Sequence, residues 1–362
     1  MTNDNHQSPW TKDQTSSKAE ATIFLTLHFK VKVEEFHLLV TPTNQMTADK
    51  STKRSLCITF PVLLALPILT TMAMNYIYPT PPGDHGKGTM FDLIANRYDF
   101  INRALALNLD TGWRRVMVKE VTKDGDLFDW NNQSKKVHIL DLATGTADVA
   151  ILIAKEYQKL TSPAKSLKIL GVDPSQNMIN VGKEKVAKNL LSHQITLEIG
   201  DARKLSDIDN DIFDAATMSF GIRNVPEKND AFCEIHRVLK KEDEENKIKA
   251  GKLAILEFSE PGPEAGIMGY GARFFIRYVV PMLGAILSGA PREYMHLQNS
   301  IKEFPSPKQF VALMESIECS HEGTFKVENV THLNFGSVQL YLATPIFPDQ
   351  EPEKSDEVDV DN

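Results

Sequence analysis

The sequence predicts an α/β fold, a doubly wound and mostly parallel sheet that ends in an antiparallel strand pair. Three observations predict it. From about Phe91, apolar runs of strand length alternate with stretches of helical period. The first of these runs leads straight into a turn of small residues, DLATGTAD. Near the C-terminus, FKVENVTHL and SVQLYLAT read as two strands, an antiparallel pair at a sheet edge.

Taken in order, the strand candidates are VHILDL at 137–142, KILGVD at 168–173, ITLEI at 195–199, FDAATMS at 213–219 and KLAILEF at 252–258. Helices separate them. Ala147 to about Leu160 sets Ile151, Ala154 and Tyr157 on one side, and Gln176–Leu190 and Asp230–Lys240 behave alike. Repeated strand–helix–strand units require right-handed crossovers, hence parallel strands. Helical pieces follow around 269–288 and 307–317, ahead of the closing pair, and no internal repeat is present.

Residues 1–85 form a leader, 86–346 the folded domain and 347–362 a solvated acidic tail. Up to about residue 54 the leader is polar and aperiodic, which predicts disorder. The stretch 56–76 carries no charge, Lys53 and Arg54 stand just before it, and PTPPGDHGKG breaks any helix after it. Three readings stay open for this stretch: the apolar part of a cleaved targeting sequence, a membrane span weakened by Pro61 and Pro67, or an over-extended start with Met46 or Met72 as the true one.

A composition of 42% hydrophobic and 24% charged residues is that of a globular chain. The formal net charge of -8 excludes a sequence-independent grip on nucleic acid, which needs surplus Lys and Arg. Cys57, Cys233 and Cys319 lie far apart without CxxC spacing, so the expectation is a reducing compartment and no disulfide staple. None of the ten histidines forms an HxxxH or HExxH pair; each reads singly as a surface or core residue, and no metal is expected.

In a doubly wound sheet, ligands sit at the carboxyl ends of the strands, so those ends carry the functional information. After the first strand, the small residues Ala143, Gly145 and Ala147 let a ligand approach the backbone, or merely let strand and helix pack closely. Asp141 is placed to orient that loop. Asp173 ends the second strand, 32 positions after Asp141; it is suited to the two hydroxyls of a ribose, or to capping the helix that begins near Ser175. At the third end, GDARKL sets Asp201 and Ala202 to meet an adenine, with a solvated loop acid as the alternative. The fourth strand runs into SFGIRN, Ser219–Asn224, where Arg223 either serves a ligand or pairs with a local acid.

These segments, in this order, resemble the C-methyltransferases of ubiquinone and menaquinone biosynthesis, within the Rossmann-like class I S-adenosylmethionine-dependent methyltransferases. The resemblance spans roughly Phe91–Pro345 and is carried by FDLIANRYDFINRALALNLDTGWRR, LDLATGTADVAI, GVDPSQNMINVGKEKV, GDARKL, FDAATMSFGIRNVPEKNDAFCEIHRVLK, LAILEFSEP and VVPMLGAILSGAPREYMHLQNSIKEFP. FGIRNV followed by HRVLK and LEFS is its most specific mark. The chain departs from the family's pattern at Ala106, where a Ser is usual, and at Asp110, often His, both near Trp113. Where the family has a short Pro-Gly-Gly turn, KEDEENKIKAG is inserted.

The resemblance implies cofactor contacts at Thr146, Asp173, Asp201, Ala202 and Ser219, to which Gly145 and Asp141 are added on physical grounds. It implies S-adenosyl-L-methionine as co-substrate and a prenylated quinol as acceptor. The catalytic candidates are Arg223, to stabilise charge developing on the ring; Asp148, to accept a proton; and Tyr98 and Asn224, to position the ring. The alternative for Asp148 is to complement a helix dipole, and for Tyr98 simply to fill the core. A long prenyl tail implies contact with a membrane surface, for which Met268–Leu287 is apolar enough, although the same segment also suits a lid or a homodimer face.

A benzoquinol substrate at the matrix side of the mitochondrial inner membrane is the preferred expectation, with a naphthoquinol and a plastid as the alternative. Rivals are a methyltransferase acting on a sterol or small amine, and a silent subunit holding other quinone-biosynthesis enzymes together. A nicotinamide-dependent oxidoreductase fits poorly, because no GxGxxG turn is present.

Overall fold

The structure, a computed structural model, describes residues 65–77, 87–122, 136–160, 166–242, 248–262, 265–319 and 323–347. Most of the leader, the centre of the 241–251 insertion, Cys57 and the acidic tail lie outside the described residues.

The strands are β1 (Lys136–Leu142), β2 (Ser166–Asp173), β3 (Ile195–Ile199), β4 (Ala215–Ser219), β5 (Lys252–Phe258), β6 (Thr324–Leu333) and β7 (Val338–Ile346). They form one sheet in the order β3-β2-β1-β4-β5-β7-β6. The first five run parallel, and β7 pairs antiparallel with both β5 and β6. This is the doubly wound sheet with an antiparallel C-terminal pair that the sequence predicts. The central strands read as unbroken apolar runs because helices cover both faces. Along β1, Val137 and Ile139 enter one core cluster while Leu140 and Leu142 enter the other.

The helices in chain order are α1 (Ala65–Ile77), α2 (Thr89–Asp92), α3 (Ala95–Leu105), α4 (Leu109–Thr122), α5 (Asp148–Leu160), α6 (Gln176–Lys188), α7 (Lys228–Val238), α8 (Gly266–Phe274), α9 (Val280–Ser288), α10 (Pro291–Glu303) and α11 (Pro307–Glu315). Residues of α4, α5 and α6 pack in one cluster, and residues of α7 and α11 in the other. Between α8 and α9 a π-type turn, Phe275–Val279, precedes Pro281. Proline lacks the N–H that a regular helix needs there, and the wider turn accommodates it. The Thr71 hydroxyl of α1 donates to the carbonyl of Tyr278 in this turn, 3.1 Å away.

Two expectations need correcting. Cys233 and Cys319, read as unpaired thiols, form a disulfide, with Cα atoms 5.4 Å apart across 86 residues of sequence. Their separation hides the fact that α7 and the end of α11 cover the same sheet face, where the rings of Phe232 and Phe310 lie 6.0 Å apart. Second, α2–α4 and α10 were not among the expected helices. Ile94, Leu105 and Leu297 line a cavity while Met117, Val118 and Val121 pack into the sheet's core, so the usual one-sided apolar stripe is split between two surfaces.

Candidate active site

Strand order reverses between β1 and β4, and a cavity of about 260 Å³ opens at their carboxyl ends. Its floor is the turn after β1, where Ala143 (φ 47), Gly145 (φ 54) and Ala147 (φ 66) all take left-handed backbone. Such a run turns the chain sharply and brings its backbone to the cavity wall. A buried carboxylate holds the turn. Asp141 accepts from the hydroxyls of Thr144 at 2.5 Å and Thr217 at 2.7 Å, tying the loop to β4. Burial pushes the Asp141 carboxyl up to about 6 despite these hydrogen bonds.

Asp173, at the end of β2, accepts the N–H of Gly145 at 2.8 Å and that of Ser175 at 2.9 Å. Burial raises it, too, to about 6. The cap of α6 is Ser175, whose Oγ accepts from Met178, so Asp173 remains directed at the cavity it lines. Asp201 and Ala202 line the far wall, with Asp201 held by Arg203 at 2.6 Å. Burial alone would raise the Asp201 carboxyl, but the Arg203 contacts outweigh it and hold it low. Ser219 lines the near wall with a buried Oγ that has no partner among the described residues.

A segment ahead of the domain core closes over this cavity. Gly88 has φ 74, and a Cβ there would stand 2.8 Å from the nitrogen of Ser175. Asp92 accepts from Ser175 Oγ at 2.6 Å and from the Asn177 N–H at 3.0 Å. Acid at a strand end, bare turn backbone, a small apolar wall and an orphaned hydroxyl suit a nucleoside-bearing donor. Residues Gly145, Asp173, Asp201, Ala202 and Ser219 are therefore placed to hold it.

A second cavity of about 520 Å³ adjoins the first, and the two share Tyr98, Phe220, Arg223 and Asn224 on their walls. Phe220 has φ 58, a conformation costly for an aromatic residue, and Gly221 after it leaves room for Ala143, since a Cβ would come within 2.5 Å of that methyl. This arrangement presents the Phe220 ring, stacked on Phe258 at 4.5 Å with Trp113 edge-on at 6.2 Å. Arg114 lies over Phe220 at 5.4 Å and Arg223 over Phe258 at 5.5 Å. The outcome is an apolar, aromatic chamber with cations at its faces.

Arg223 makes the ion pair with a local acid that its sequence context offered as one reading, from a position on the shared wall. It lines the two cavities, and its Nη1 meets Glu257 Oε1 at 2.5 Å, the side chains being 5% and 0% exposed. Its Nε is buried and unpartnered. Glu257 was missed in the sequence; its signal is an acid within the otherwise apolar run LAILEF. Tyr98 is half-buried, and desolvation raises its phenol above the ordinary value despite nearby Arg223 and Arg114, so it remains protonated.

Three candidate residues stand outside both cavities: Asp141, which holds the turn from beneath, Thr146 and Asp148. Thr146 gives its hydroxyl to Asp99 at 2.6 Å and receives Lys185 at 2.9 Å. Asp148 is ringed by Lys185 at 2.6 Å, Arg103 at 2.6 Å and Arg114 at 3.7 Å. Burial raises the Asp148 carboxyl, but those cations outweigh it and bring it to about 2. Thr146 and Asp148 clamp α3 and α4 onto α5 and α6. Asp110, where the family often has His, lines the larger cavity instead and binds Arg103 and Arg114, with its Oδ1 buried and unpartnered. Among the described residues no cluster of His, Cys, Asp and Glu has the form of a metal site.

A model of the ubiE/COQ5 methyltransferase family matches residues 83–341. A ubiquinone/menaquinone biosynthesis C-methyltransferase UbiE of Geobacter sulfurreducens is 39% identical over 230 residues, covering 63% of this chain and 78% of that protein. The demethylmenaquinone methyltransferase of Bacteroides fragilis is 36% identical over 255 residues, covering 70% and 90%. Among solved structures, a SAM-dependent methyltransferase from Aquifex aeolicus aligns at 15% identity with a TM-score of 0.38, over 63% of this chain and 97% of that one. With a match across most of its domain and a donor cavity at the sheet's switch point, the chain belongs to the ubiE/COQ5 methyltransferase family and is an S-adenosylmethionine-dependent C-methyltransferase.

Proposed function

We propose that this enzyme methylates a ring carbon of 2-methoxy-6-polyprenyl-1,4-benzoquinol in ubiquinone biosynthesis. The observation that carries the reading is the aromatic chamber that shares its wall with the donor cavity. A planar ring lies well against Phe220 and Phe258, and a prenyl tail continues along Ile94, Leu105, Phe275 and Ile276.

S-adenosylmethionine, when bound, supplies a methyl group already activated on a sulfonium. The chain's own task is to hold the acceptor in line and to stabilise charge on its oxygen. Arg223 serves that purpose from the shared wall, with Glu257 fixing the guanidinium so that no reorganisation is needed as charge develops. Asn224 and Tyr98 hold the ring from the same wall. Asp148 does not act as the base in this arrangement: it is saturated with cations and low in basicity.

Membrane contact is part of the proposal. Leu107 (73% exposed), Ile267 (88%), Met268 (56%) and Phe335 (56%) line the larger cavity and face outward, an apolar rim through which a tail enters from lipid. The apolar helix Gly266–Ser288 supports it, as does α1 with Leu69 and Tyr76 exposed. The leader's charge-free segment supports import, and the preferred home is the matrix side of the mitochondrial inner membrane. The relative named demethylmenaquinone methyltransferase favours a second reading, methylation of a demethylnaphthoquinol.

The test is turnover of purified protein with S-adenosylmethionine and matched prenylated demethyl-benzoquinol and demethyl-naphthoquinol, in detergent and on liposomes. Preference for the benzoquinol by at least tenfold in kcat/KM, about 1.4 kcal/mol, is expected. Preference for the naphthoquinol selects the second reading, and turnover of neither sinks both.

A further inference from the structure

We propose that Asp110 takes a hydrogen bond, on Oδ1, from the acceptor hydroxyl remote from the reacting carbon, and that this contact selects the reduced ring over its quinone. The proposal rests on the quinol reading above. Asp110 lines the larger cavity and has no place on the wall shared with the donor cavity. Its side chain is 4% exposed. The Nη1 groups of Arg103 and Arg114 both meet Oδ2, whereas Oδ1 is buried and has no partner among the described residues. A buried carboxylate oxygen without a hydrogen bond is costly, so one kept in the wall of a cavity calls for an occupant that supplies the donor.

The fold fixes where that oxygen stands. Leu107 (φ 51) and Asn108 (φ 61) both take left-handed backbone and turn the chain between α3 and α4. Asp110 follows in the first turn of α4, a helix of 14 residues, where the dipole favours a negative side chain. One turn on, Arg114 reaches back to Asp110 and also lies over the Phe220 ring at 5.4 Å. Arg223 lies over Phe258, the ring stacked on Phe220. An acceptor ring in the aromatic chamber therefore has Arg223 on its donor side and Asp110 where the donor cavity does not reach.

The substrate's own pattern says which hydroxyl this is. In a 2-methoxy-6-polyprenyl-1,4-benzoquinol the unsubstituted ring carbons are C3 and C5, and both adjoin the C4 hydroxyl. Whichever of them is methylated, the C4 hydroxyl faces the donor and Arg223, which leaves the C1 hydroxyl, across the ring, for Asp110. An ion-paired carboxylate only accepts. A quinol hydroxyl donates to it, whereas a quinone brings a carbonyl oxygen, which sets two acceptors face to face and leaves Oδ1 unsatisfied. Tyr294 carries a second buried hydroxyl without a partner in this cavity, but a hydroxyl gives and takes alike and distinguishes neither oxidation state. The selection has a chemical use: a quinone ring is electron-poor and does not attack a sulfonium, so its exclusion keeps the chamber free for a ring that reacts. Asp110 is thus a positioning and specificity residue.

The test is anaerobic calorimetry on the full chain, with S-adenosylhomocysteine in place of the donor so that no methyl is transferred. The probes are a short-chain 2-methoxy-6-alkyl-1,4-benzoquinol, its C1 methyl ether and the matching quinone. Wild-type protein should bind the quinol roughly 10–100-fold more tightly than either of the others, the range of a hydrogen bond to a charged group. In D110N the amide oxygen turns to the two arginines and the NH₂ group takes the place of Oδ1, so the order should invert, with ether and quinone above quinol. D110S, whose hydroxyl both gives and takes, should erase the preference. A merely structural role lowers all three affinities together and keeps their ratios, and that result in either variant overturns the proposal. Wild-type protein that turns over the quinol yet binds the ether or the quinone as tightly also overturns it, while the substrate reading stands. A wild-type enzyme that turns over no quinol overturns the substrate reading and this proposal with it.

Discussion

Replacing Glu257 by Ala should destabilise the fold far more than a surface change, and should do so by stranding Arg223. Glu257 accepts the guanidinium Nη1 at 2.5 Å, the Arg223 backbone N–H at 3.2 Å and the Phe258 N–H at 2.8 Å. With the two side chains 5% and 0% exposed, water cannot replace what is removed. Breaking one side of a buried ion pair costs about 3–5 kcal/mol. A domain of this size loses about 2–4 °C of Tm per kcal/mol, so a fall on the order of 10 °C is expected. Denaturant unfolding measures the free energy and a thermal scan the Tm. E257Q keeps the shape and one acceptor oxygen, and should fall between E257A and wild type. The double variant R223M/E257L removes both charges and should regain most of the lost stability, since apolar replacement of a buried pair is often neutral. It should not regain turnover, because the charge-stabilising donor is gone, a loss of about 10²–10³ in kcat. An E257A protein within about 1 kcal/mol of wild type would refute the reasoning.

Three further outcomes follow from the same geometry. Asp173 has its folded carboxyl raised to about 6, so its contribution to stability is present below its unfolded pKa of about 3.9 and is lost as pH rises through 6; donor affinity runs the other way, weakening from pH 7 toward 5 as the ribose acceptor protonates, and calorimetry should find that dependence absent in D173N. Reduction of Cys233–Cys319, which closes an 86-residue separation, should lower unfolding free energy by about 2–4 kcal/mol, read by unfolding with and without reductant and by thiol titration. G221A places a methyl 2.5 Å from that of Ala143, so the donor turn must shift; S-adenosylmethionine affinity should drop at least tenfold, while the cores on both sheet faces keep Tm within a few degrees.

Much of the donor site was legible in advance because each of its pieces is local. DLATGTAD, GVDPS, GDARKL and SFGIRN each announce a strand end by placing small, acidic or turn-forming residues after an apolar run, and topology brings such ends together. Gly145, Asp173, Asp201, Ala202 and Ser219 accordingly line one cavity, and Asp141 steadies its floor. What could not be read was where neighbouring side chains in those loops would point. Thr146 follows Gly145 directly, yet its hydroxyl turns outward to Asp99 and Lys185. Asp148, at the start of α5, is drawn into a cluster of cations from three other helices. His296 lay unremarked in YMHLQNS, because nothing in a helix's own sequence says that it roofs a boundary between two cavities.

The sequence by itself determined the alternation of strands and helices, the antiparallel ending, the family and the strand ends that line the cavity at the switch point. These rest on period, turn chemistry and residue size, which act over a few neighbours. Tertiary structure alone decided the Cys233–Cys319 bond, the Arg223–Glu257 pair, the roof of α2–α4 and α10, and the apolar rim. Each of these depends on which surfaces meet after the sheet has closed, a contest of burial among residues tens to hundreds of positions apart that no local pattern encodes.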